Sequence, residues 1–261
     1  MAVCVRLTIL YQDDDVVAVY KPAGLVVHRS DSTPEGEGAL LQYLRDQINQ
    51  HIYPVHRLDQ PTSGIVLYGL SSKAAASLVD QFTNRHIIKC YQAVVVGHCP
   101  PFGTIATPLS SSETSRKDSF QNPSGSDVLR HAQTYFRTLA HFEPTWRLVG
   151  QIHCKLSLIE AMPHTGRWHQ IRRHLSSIHH PILGDRRHGD DGYNNALTNA
   201  DNSLLPDRMM LNASYIQFRQ PTSRNLCDLR CDPDQTYQAI VDLLGKPSSR
   251  FSFDDSCHLE R

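Results

Sequence analysis

The segment His56–Gly64 carries the residue types that chemistry needs. It reads His-Arg-Leu-Asp-Gln-Pro-Thr-Ser-Gly and lies between two apolar runs. If a strand that begins near Ile52 continues to Asp59, then Arg57 and Asp59 point to the same face, because side chains alternate along a strand. A charged pair at the end of a strand that feeds a turn is a common way to present a functional group. An ordinary turn, in which Asp59 bonds nearby backbone N–H groups, explains the spacing equally well.

A second candidate is the stretch from Pro163 to His188, in which basic residues collect. It holds five arginines and six histidines, with Asp185 as its only acid: Arg167, Arg172, Arg173, Arg186, Arg187, His164, His169, His174, His179, His180 and His188. On a helix that begins near His169, Arg172 lies beside the apolar stripe and Arg173 further round. We therefore expect a phosphate-binding surface with one inward arginine that serves a site. A solvated basic helix face is the alternative.

The histidines also raise the question of a metal site. His174, His179, His180 and Asp185 are close in sequence, but their spacing fits neither His-Glu-x-x-His nor a facial triad. We expect no metal, and a histidine-based metal hydrolase remains only a rival hypothesis.

Composition limits the classes of protein and of partner that remain. The 261 residues contain 26 Lys+Arg and 26 Asp+Glu, so net charge gives no sign of a polyanionic partner, although a local patch can still steer a ligand. The seven cysteines are odd in number and scattered, and no secretory signal or membrane-spanning run is found. These features predict a cytoplasmic protein with reduced thiols.

The order of the predicted elements indicates the fold class. Strands outnumber helices and many are adjacent in sequence, which predicts an α+β fold with a largely antiparallel sheet. Strands are expected at 6–11, 15–20, 52–59, 65–70, 87–96, 132–142, 146–160 and 209–218, and helices at 39–50, 73–85, 169–178 and 232–244. Residues 185–207 are expected to be a loop, and residues 100–126 a loop with at most one strand, near Thr104–Leu109. We predict one catalytic domain over residues 1–247 and a flexible tail over 248–261.

Four segments, taken together, resemble a known family. They are Lys21-Pro22-Ala23-Gly24, the segment His56–Gly64, Phe82 with Lys89-Cys90-Tyr91-Gln92-Ala93 and Gly97, and Thr165-Gly166-Arg167-Trp168-His169-Gln170-Ile171-Arg172-Arg173-His174-Leu175 with its continuation 180–185. Their order and spacing are similar to those of the RluA-type pseudouridine synthases. Four motifs in order are far more specific than any one alone.

The resemblance implies a curved, mainly antiparallel sheet flanked by helices, with a central RNA-binding cleft. It implies isomerisation of uridine to pseudouridine without cofactor or metal. Asp59 would be the catalytic nucleophile, Tyr91 would stack on the target base, and Arg172 would pair with Asp59. Arg57 would fill the space that the base leaves. The resemblance also implies substrate contacts from His56, Thr62, Lys89, Arg167, His169, Gln170 and Leu211, although Asn212 stands where the family usually has His.

The resemblance also narrows the substrate. Segments 26–30 and 44–51 are most similar to family members that modify uridine 65 of tRNA. A ribosomal RNA uridine is the competing substrate, and a non-catalytic RNA-binding protein of the same fold is the competing function. We expect RNA, with tRNA preferred, as the partner of a monomer that needs no membrane and no obligatory protein partner.

Overall fold

The computed structural model describes residues 6–28, 38–110, 128–144, 154–199 and 208–252. The chain divides into two compact units. The first comprises Met1–Gln92 and Arg208–Thr236, and the second comprises Ala93–Asp207 and Tyr237–Arg261. That residues 1–247 act as one catalytic domain stays a prediction.

The secondary structure is rich in strands. In chain order the strands are β1 (Ile9–Gln12), β2 (Val16–Lys21), β3 (Tyr53–Pro54), β4 (Ser63–Gly69), β5 (Ile88–Val96), β6 (Phe102–Ile105), β7 (Leu109–Ser110), β8 (Leu129–Arg130), β9 (Thr134–Phe142), β10 (Leu156–Pro163), β11 (Leu211–Arg219), β12 (Leu226–Arg230) and β13 (Ser249–Arg250). The helices are α1 (Leu40–Ile48), α2 (Ser72–Thr83), α3 (Gln170–Ser177), α4 (Asp191–Asn199) and α5 (Gln235–Leu243).

In the first unit the strand order is β1-β2-β4-β11, with β12 on β11 and β3 on β4. The pairs are antiparallel, except that β4 and β11 run parallel through Ser63↔Asn212 and Gly64↔Ala213. Every residue of β4 is buried. Strand β4 is central, so neither of its faces meets solvent and its apolar residues form a continuous run rather than an alternating one.

Alternate residues of the central strands build a separate core on each face of this sheet. Val66 and Tyr68 of β4 belong to one cluster, together with Leu40 and Leu44 of α1. Ile65 and Leu67 belong to the other, together with Leu78 of α2. Helix α2 begins where Ser71 Oγ accepts a hydrogen bond from Ala74 N, as the sequence predicts. The two helices therefore fix the sheet from which the segment His56–Gly64 departs.

In the second unit β10, β9 and β13 follow one another, and β6 pairs with β9. Strand β9 alternates strictly between buried and half-buried residues. A bulge interrupts its antiparallel register with β10 between Leu158 and Ile159. Helix α3 packs against both of these strands, which holds the basic stretch to a rigid base.

The α+β class and the mainly antiparallel sheet are confirmed, and the central cleft stays a prediction. Three local predictions are wrong. The strand after Ile52 ends at Pro54, because only Tyr53 and Pro54 have partners on β4. Helix α4 lies within the predicted 185–207 loop and begins where Asp190 Oδ1 accepts from Tyr193 N. The start of the expected tail is strand β13, where backbone pairing with β9 supplies partners that composition does not reveal. Predicted residues 146–153 and 253–261 lie outside the described part of the chain.

Among the described residues, none of the helices combines the length and the apolar character that crossing a bilayer requires.

Candidate active site

Asp59 lies in a tight turn rather than in a strand. Thr62 N donates to Asp59 O at 3.0 Å, which closes the segment that we call the aspartate turn, residues 59–62. Leu58 is buried, Asp59 is half-buried and Arg57 is exposed. Arg57 and Asp59 thus still lie away from the core. The reason is that the buried Leu58 anchors the segment, not that side chains alternate along a strand. The carboxylate is presented at the edge of the first unit's core.

Lys21 holds the aspartate turn from behind. Its side chain is fully buried, and Nζ donates to the carbonyl oxygens of Pro22 at 2.9 Å, Leu25 at 2.7 Å and Gln60 at 2.9 Å. Gly24 N also donates to Gln60 O at 2.9 Å. Burial lowers the pKa of Lys21 to about 7, the charge of Asp59 raises it, and that of Arg208 lowers it. Three carbonyl acceptors match the three N–H groups of an ammonium, so the geometry favours the protonated form.

The residues after the turn are locked to β11. Ser63 Oγ donates to Asn212 Oδ1 at 2.8 Å, and both side chains are buried. Gly64 has a φ of +113°, and a Cβ there would lie 2.3 Å from Ala213 O. Only glycine permits this approach of the two backbones. Asn212 therefore has a defined role in this chain, as the acceptor that ties the aspartate turn to the neighbouring strand.

A second charged network supports the same junction. Arg208 Nη2 donates to Ser63 Oγ at 3.0 Å, and its Nη1 pairs with Asp234 Oδ1. Tyr20 OH donates to Asp234 Oδ2 at 2.8 Å and accepts from Asp234 N at 3.0 Å. Burial raises the pKa of Tyr20 to about 12, so its hydroxyl remains a donor. Arg208 and Asp234 were not predicted, because each is far in sequence from Ser63 and belongs to no motif.

Tyr91 and Lys89 lie on β5 with the same side-chain parity, as predicted. Tyr91 is half-buried and packs against the cluster that contains Leu58. Burial, followed by the charge of Asp59, raises the pKa of Tyr91, so the ring is neutral and Asp59 lies within electrostatic range of it. Burial lowers the pKa of Lys89 to about 8, and its Nζ lies 5.9 Å from the centre of the Phe82 ring.

Three predicted contact residues of this unit are turned inward. His56 Nε2 accepts from Leu67 N at 2.9 Å, and burial followed by the charge of Lys89 lowers the pKa of His56 to about 3. Its neutral ring packs on Phe82 with centroids 4.7 Å apart. Thr62 and Leu211 are buried. The hydrogen bond of His56 supports β4, and substrate contacts from these three residues stay predictions.

Arg172 is the inward arginine of the second unit. It is 4% exposed, and its Nε and Nη2 donate to the two carboxylate oxygens of Asp185 at 2.7 and 2.8 Å. Burial opposes the charge of Asp185, but the bonds from Arg172 and from the backbone N–H groups of Arg187 and His188 leave its pKa below the usual value. Arg173 is half-buried and donates to Ser110, so it does not simply face water. The pairing of Arg172 with Asp59 stays a prediction.

His169 is held in one tautomer by its neighbours. Arg172 Nη1 lies 3.0 Å from its Nε2, and since an arginine can only donate, Nε2 is the acceptor. Nδ1 then carries the proton and donates to His188 Nε2 at 2.9 Å. Burial lowers the pKa of His169 to about 3 and that of His188 to about 4, with further lowering by the charge of Arg172. Both rings are therefore neutral near pH 7.

Gln170 has a structural role, and its substrate contact stays a prediction. It is buried, its Oε1 accepts from Thr165 Oγ1 at 2.6 Å and from Arg167 N at 3.0 Å, and its Nε2 donates to Gln133 O and Thr134 Oγ1. These four bonds use the whole capacity of the amide. Arg167 is half-buried and donates from Nε to His131 O at 3.0 Å, and its contact with RNA stays a prediction.

The rival metal site does not assemble. His174 is buried between Thr134 Oγ1 and Thr107 O, each 2.9 Å away, and His180 Nδ1 lies 2.8 Å from Val96 O. With Asp185 bound to Arg172, these groups do not converge on a common point. Among the described residues no three His, Cys, Asp or Glu side chains are grouped as metal ligands.

Comparison with known proteins agrees with the motifs. The family model described as RNA pseudouridylate synthase matches residues 15–177. The chain is similar to a tRNA pseudouridine synthase C of Pectobacterium carotovorum, at 40% identity over 94% of this chain and 64% of that relative. Similarity to a tRNA pseudouridine synthase C of Haemophilus ducreyi is 36% identity over 92% of this chain and 96% of the relative.

The fold has a solved counterpart. The structure of human RNA pseudouridylate synthase domain containing 1 aligns with a TM-score of 0.72 at 25% identity, covering 97% of this chain and 93% of that one. The matched residues 15–177 include the aspartate turn, Tyr91 and Arg172, so the family match covers the four motifs apart from the continuation at 180–185. The chain belongs to the RNA pseudouridylate synthase family.

Proposed function

We propose that this protein isomerises a specific uridine of tRNA to pseudouridine, with Asp59 as the nucleophile. The observation that carries the proposal is the arrangement around the aspartate turn. Lys21 and the Ser63–Asn212 bond hold the backbone of the segment that carries the Asp59 carboxylate, which lies within electrostatic range of the neutral ring of Tyr91. Pinning of this kind is what a nucleophile requires, since small displacements at a reacting centre cost large factors in rate.

The reaction breaks the C1′–N1 bond, turns the uracil and joins C1′ to C5. The hydrogen at C5 is released to water, and N1 gains a proton. The Asp59 carboxylate attacks either the sugar C1′ or the base C6, and in both routes it is recovered when the C5 bond has formed and the base is aromatic again. Water must be excluded while the glycosidic bond is open, which fits the half-buried position of Asp59.

Tyr91 supplies the platform for the extruded base. Stacking on an aromatic side chain contributes about 1–3 kcal/mol, which is comparable with the few kcal/mol that unstacking a base costs. The raised pKa keeps the phenol uncharged, so the ring does not repel the RNA backbone. Arg57 is exposed beside the turn, which supports its proposed entry into the space that the base leaves.

The substrate proposal is tRNA, and within it uridine 65. It is supported by relatives named tRNA pseudouridine synthase C and by the similarity of segments 26–30 and 44–51 to that branch of the family. A uridine of ribosomal RNA is the competing substrate. We further propose that the protein acts in the cytoplasm as a monomer without an obligatory protein partner.

Tritium release tests the activity and the substrate separately. The protein is incubated with tRNA or with ribosomal RNA that carries tritium at uridine C5. We expect release from tRNA, and position mapping should place the product at uridine 65. Release from ribosomal RNA alone would refute the substrate and keep the activity.

The Asp59→Asn variant tests the nucleophile. It keeps the size of the side chain and removes its charge, so release should fall below detection while the Kd for tRNA changes by less than a small factor. Thr83→Ala on the exposed end of α2 is a control that should keep full activity. Turnover that persists in Asp59→Asn would contradict the proposed role.

A further inference from the structure

Trp168, in the second unit, has no role in the proposed reaction. The indole is half-exposed and lies immediately before α3. The ring of His169 stacks on it, with centroids 3.8 Å apart and planes 20° apart. Two guanidinium groups also lie over the indole, that of Arg187 at 4.9 Å and that of Arg173 at 5.6 Å from the ring centre. A large aromatic surface is thus assembled among cations at the surface of the unit.

The stack has a rigid support. His169 adopts a left-handed backbone conformation, with φ of 49°, at the residue that precedes α3. Arg172 and His188 fix both nitrogens of its ring, and the buried Asp185 fixes Arg172 through two hydrogen bonds. Asp185 Oδ1 also accepts from the backbone N–H groups of Arg187 and His188. One buried carboxylate therefore positions both the ring beneath the indole and the turn that carries Arg187.

The charge of this surface selects an anionic partner. Arg186 and Arg187 are exposed, and Asp185, the only acid between residues 163 and 188, is buried and bound to Arg172. The next acids, Asp190 and Asp191, are exposed at the start of α4. The rings of His169 and His188 are neutral near pH 7, so they contribute aromatic surface without charge. Aromatic faces combined with cations are what proteins use to bind single-stranded nucleic acid, because bases stack and phosphates pair. An acidic peptide would use the cations but would bring no ring to stack on the indole.

We propose that a nucleobase of the RNA substrate, other than the reacting uridine, stacks on Trp168 in place of the Arg187 guanidinium, and that Arg186 and Arg187 bind the neighbouring phosphates. The inference rests on the proposed function, because it takes the RNA to be the substrate. It adds a binding subsite on residues 168–187 that is separate in role from Asp59 and Tyr91. Loss of the stack is expected to weaken tRNA binding by roughly 5- to 100-fold, the range that base–aromatic stacking spans.

Fluorescence tests the contact directly. The chain has two tryptophans, and Trp146 is replaced by Phe so that Trp168 alone reports. Asp59→Asn is added to prevent turnover, and unmodified tRNA is titrated in while binding is followed independently by filter retention. We expect the emission of Trp168 to be quenched in step with the bound fraction, because a stacked base quenches an indole. Unchanged emission at saturating tRNA would overturn the proposal.

Kinetics on the otherwise unchanged chain supply the second test. Trp168→Ala should raise the KM for tRNA by 5- to 100-fold with a smaller effect on kcat, and Trp168→Phe should recover most of the loss. Phe102→Ala removes another aromatic of this unit, 73% exposed on β6, and should leave KM unchanged. A KM for Trp168→Ala within twofold of the unmodified value would refute the subsite.

The two proposals fail in different ways. If the parent protein releases no tritium from tRNA, the proposed function fails whatever Trp168 does. If it releases tritium but the fluorescence emission of Trp168 does not change when tRNA is added, only the proposed subsite is refuted. Quenching by poly-glutamate but not by tRNA would assign the surface to an acidic peptide and also overturn the proposal.

Discussion

Replacing Lys21 by Met should separate stability from activity. The variant keeps the length of the side chain and removes three hydrogen bonds, including the one from Nζ to Gln60 O in the aspartate turn. Gln60 O keeps its bond from Gly24 N, so two carbonyls, those of Pro22 and Leu25, lose their partner. At about 1–3 kcal/mol for each unpaired carbonyl, the loss is at most about 2–6 kcal/mol. Removing the buried amino group has the opposite effect on stability. Its pKa is lowered from 10.5 to about 7, and this shift corresponds to about 5 kcal/mol of destabilisation of the folded protein at neutral pH.

The two terms nearly offset each other, so the free energy of unfolding in urea should change by no more than about 4 kcal/mol. Activity has no such compensation. The aspartate turn loses its tie to the core, and a displacement of about 1 Å at a reacting group costs about 100-fold in rate. We therefore expect kcat for tritium release to fall by about 100-fold. Lys73→Met, on the exposed face of α2, should change neither quantity.

The same lysine predicts opposite pH trends in the parent protein. The folded pKa of about 7 lies below the ordinary value of 10.5, so between these pH values the unfolded chain binds more protons and stability rises with pH. A neutral amine has two N–H groups instead of three, so kcat should decline as the pH rises through about 7, where the folded protein loses this proton. Lys21→Met should abolish both slopes. A kcat within threefold of the parent in Lys21→Met, with the pH trends intact, would refute the reasoning.

Two other perturbations test the second unit and the buried histidines. Arg172→Met removes the cation that pairs with the buried carboxylate of Asp185, so the free energy of unfolding in urea should fall by about 3–5 kcal/mol. Arg172→Lys keeps the charge but loses the bidentate hydrogen bond, so it should cost less. Equal stability of the Met variant and the parent would contradict this. The folded pKa values of His56, His169 and His188 lie at about 3, 3 and 4, below the ordinary 6.5, so the unfolded chain binds more protons between these values and stability should fall as the pH drops from about 6.5 to 4. Urea midpoints that are flat across this range would show that the rings are not held neutral by burial.

The sequence predicted the elements better than the contacts between them. Period-two and helical spacing placed α1, α2 and β5 within a few residues, because local burial patterns determine them. The parallel pairing of β4 with β11 joins residues about 150 positions apart, as in the Ser63–Asn212 bond, and no local pattern encodes it. For the same reason Arg208 and Asp234 were missed, although they support Ser63.

The sequence predicted the roles of some residues of the candidate site more completely than those of others. The motifs singled out Asp59 and Tyr91, and the helical stripe predicted that Arg172 faces inward. The side chain of Gln170 satisfies four polar partners, a structural role that the sequence does not reveal, whereas its contact with RNA stays a prediction. Lys21 lies in a recognised motif. That it holds the aspartate turn could be inferred only from the distances between its Nζ and three carbonyl oxygens.

Pseudouridine mapping of total RNA tests the central claim most directly. RNA is compared from cells that carry the unmodified gene, cells that lack it and cells that carry Asp59→Asn at equal protein level. We predict that one tRNA pseudouridine, at position 65, is present in the first sample and missing from the other two, while every ribosomal RNA site is unchanged. A tRNA profile identical in all three samples, or a lost site in ribosomal RNA alone, would contradict the account.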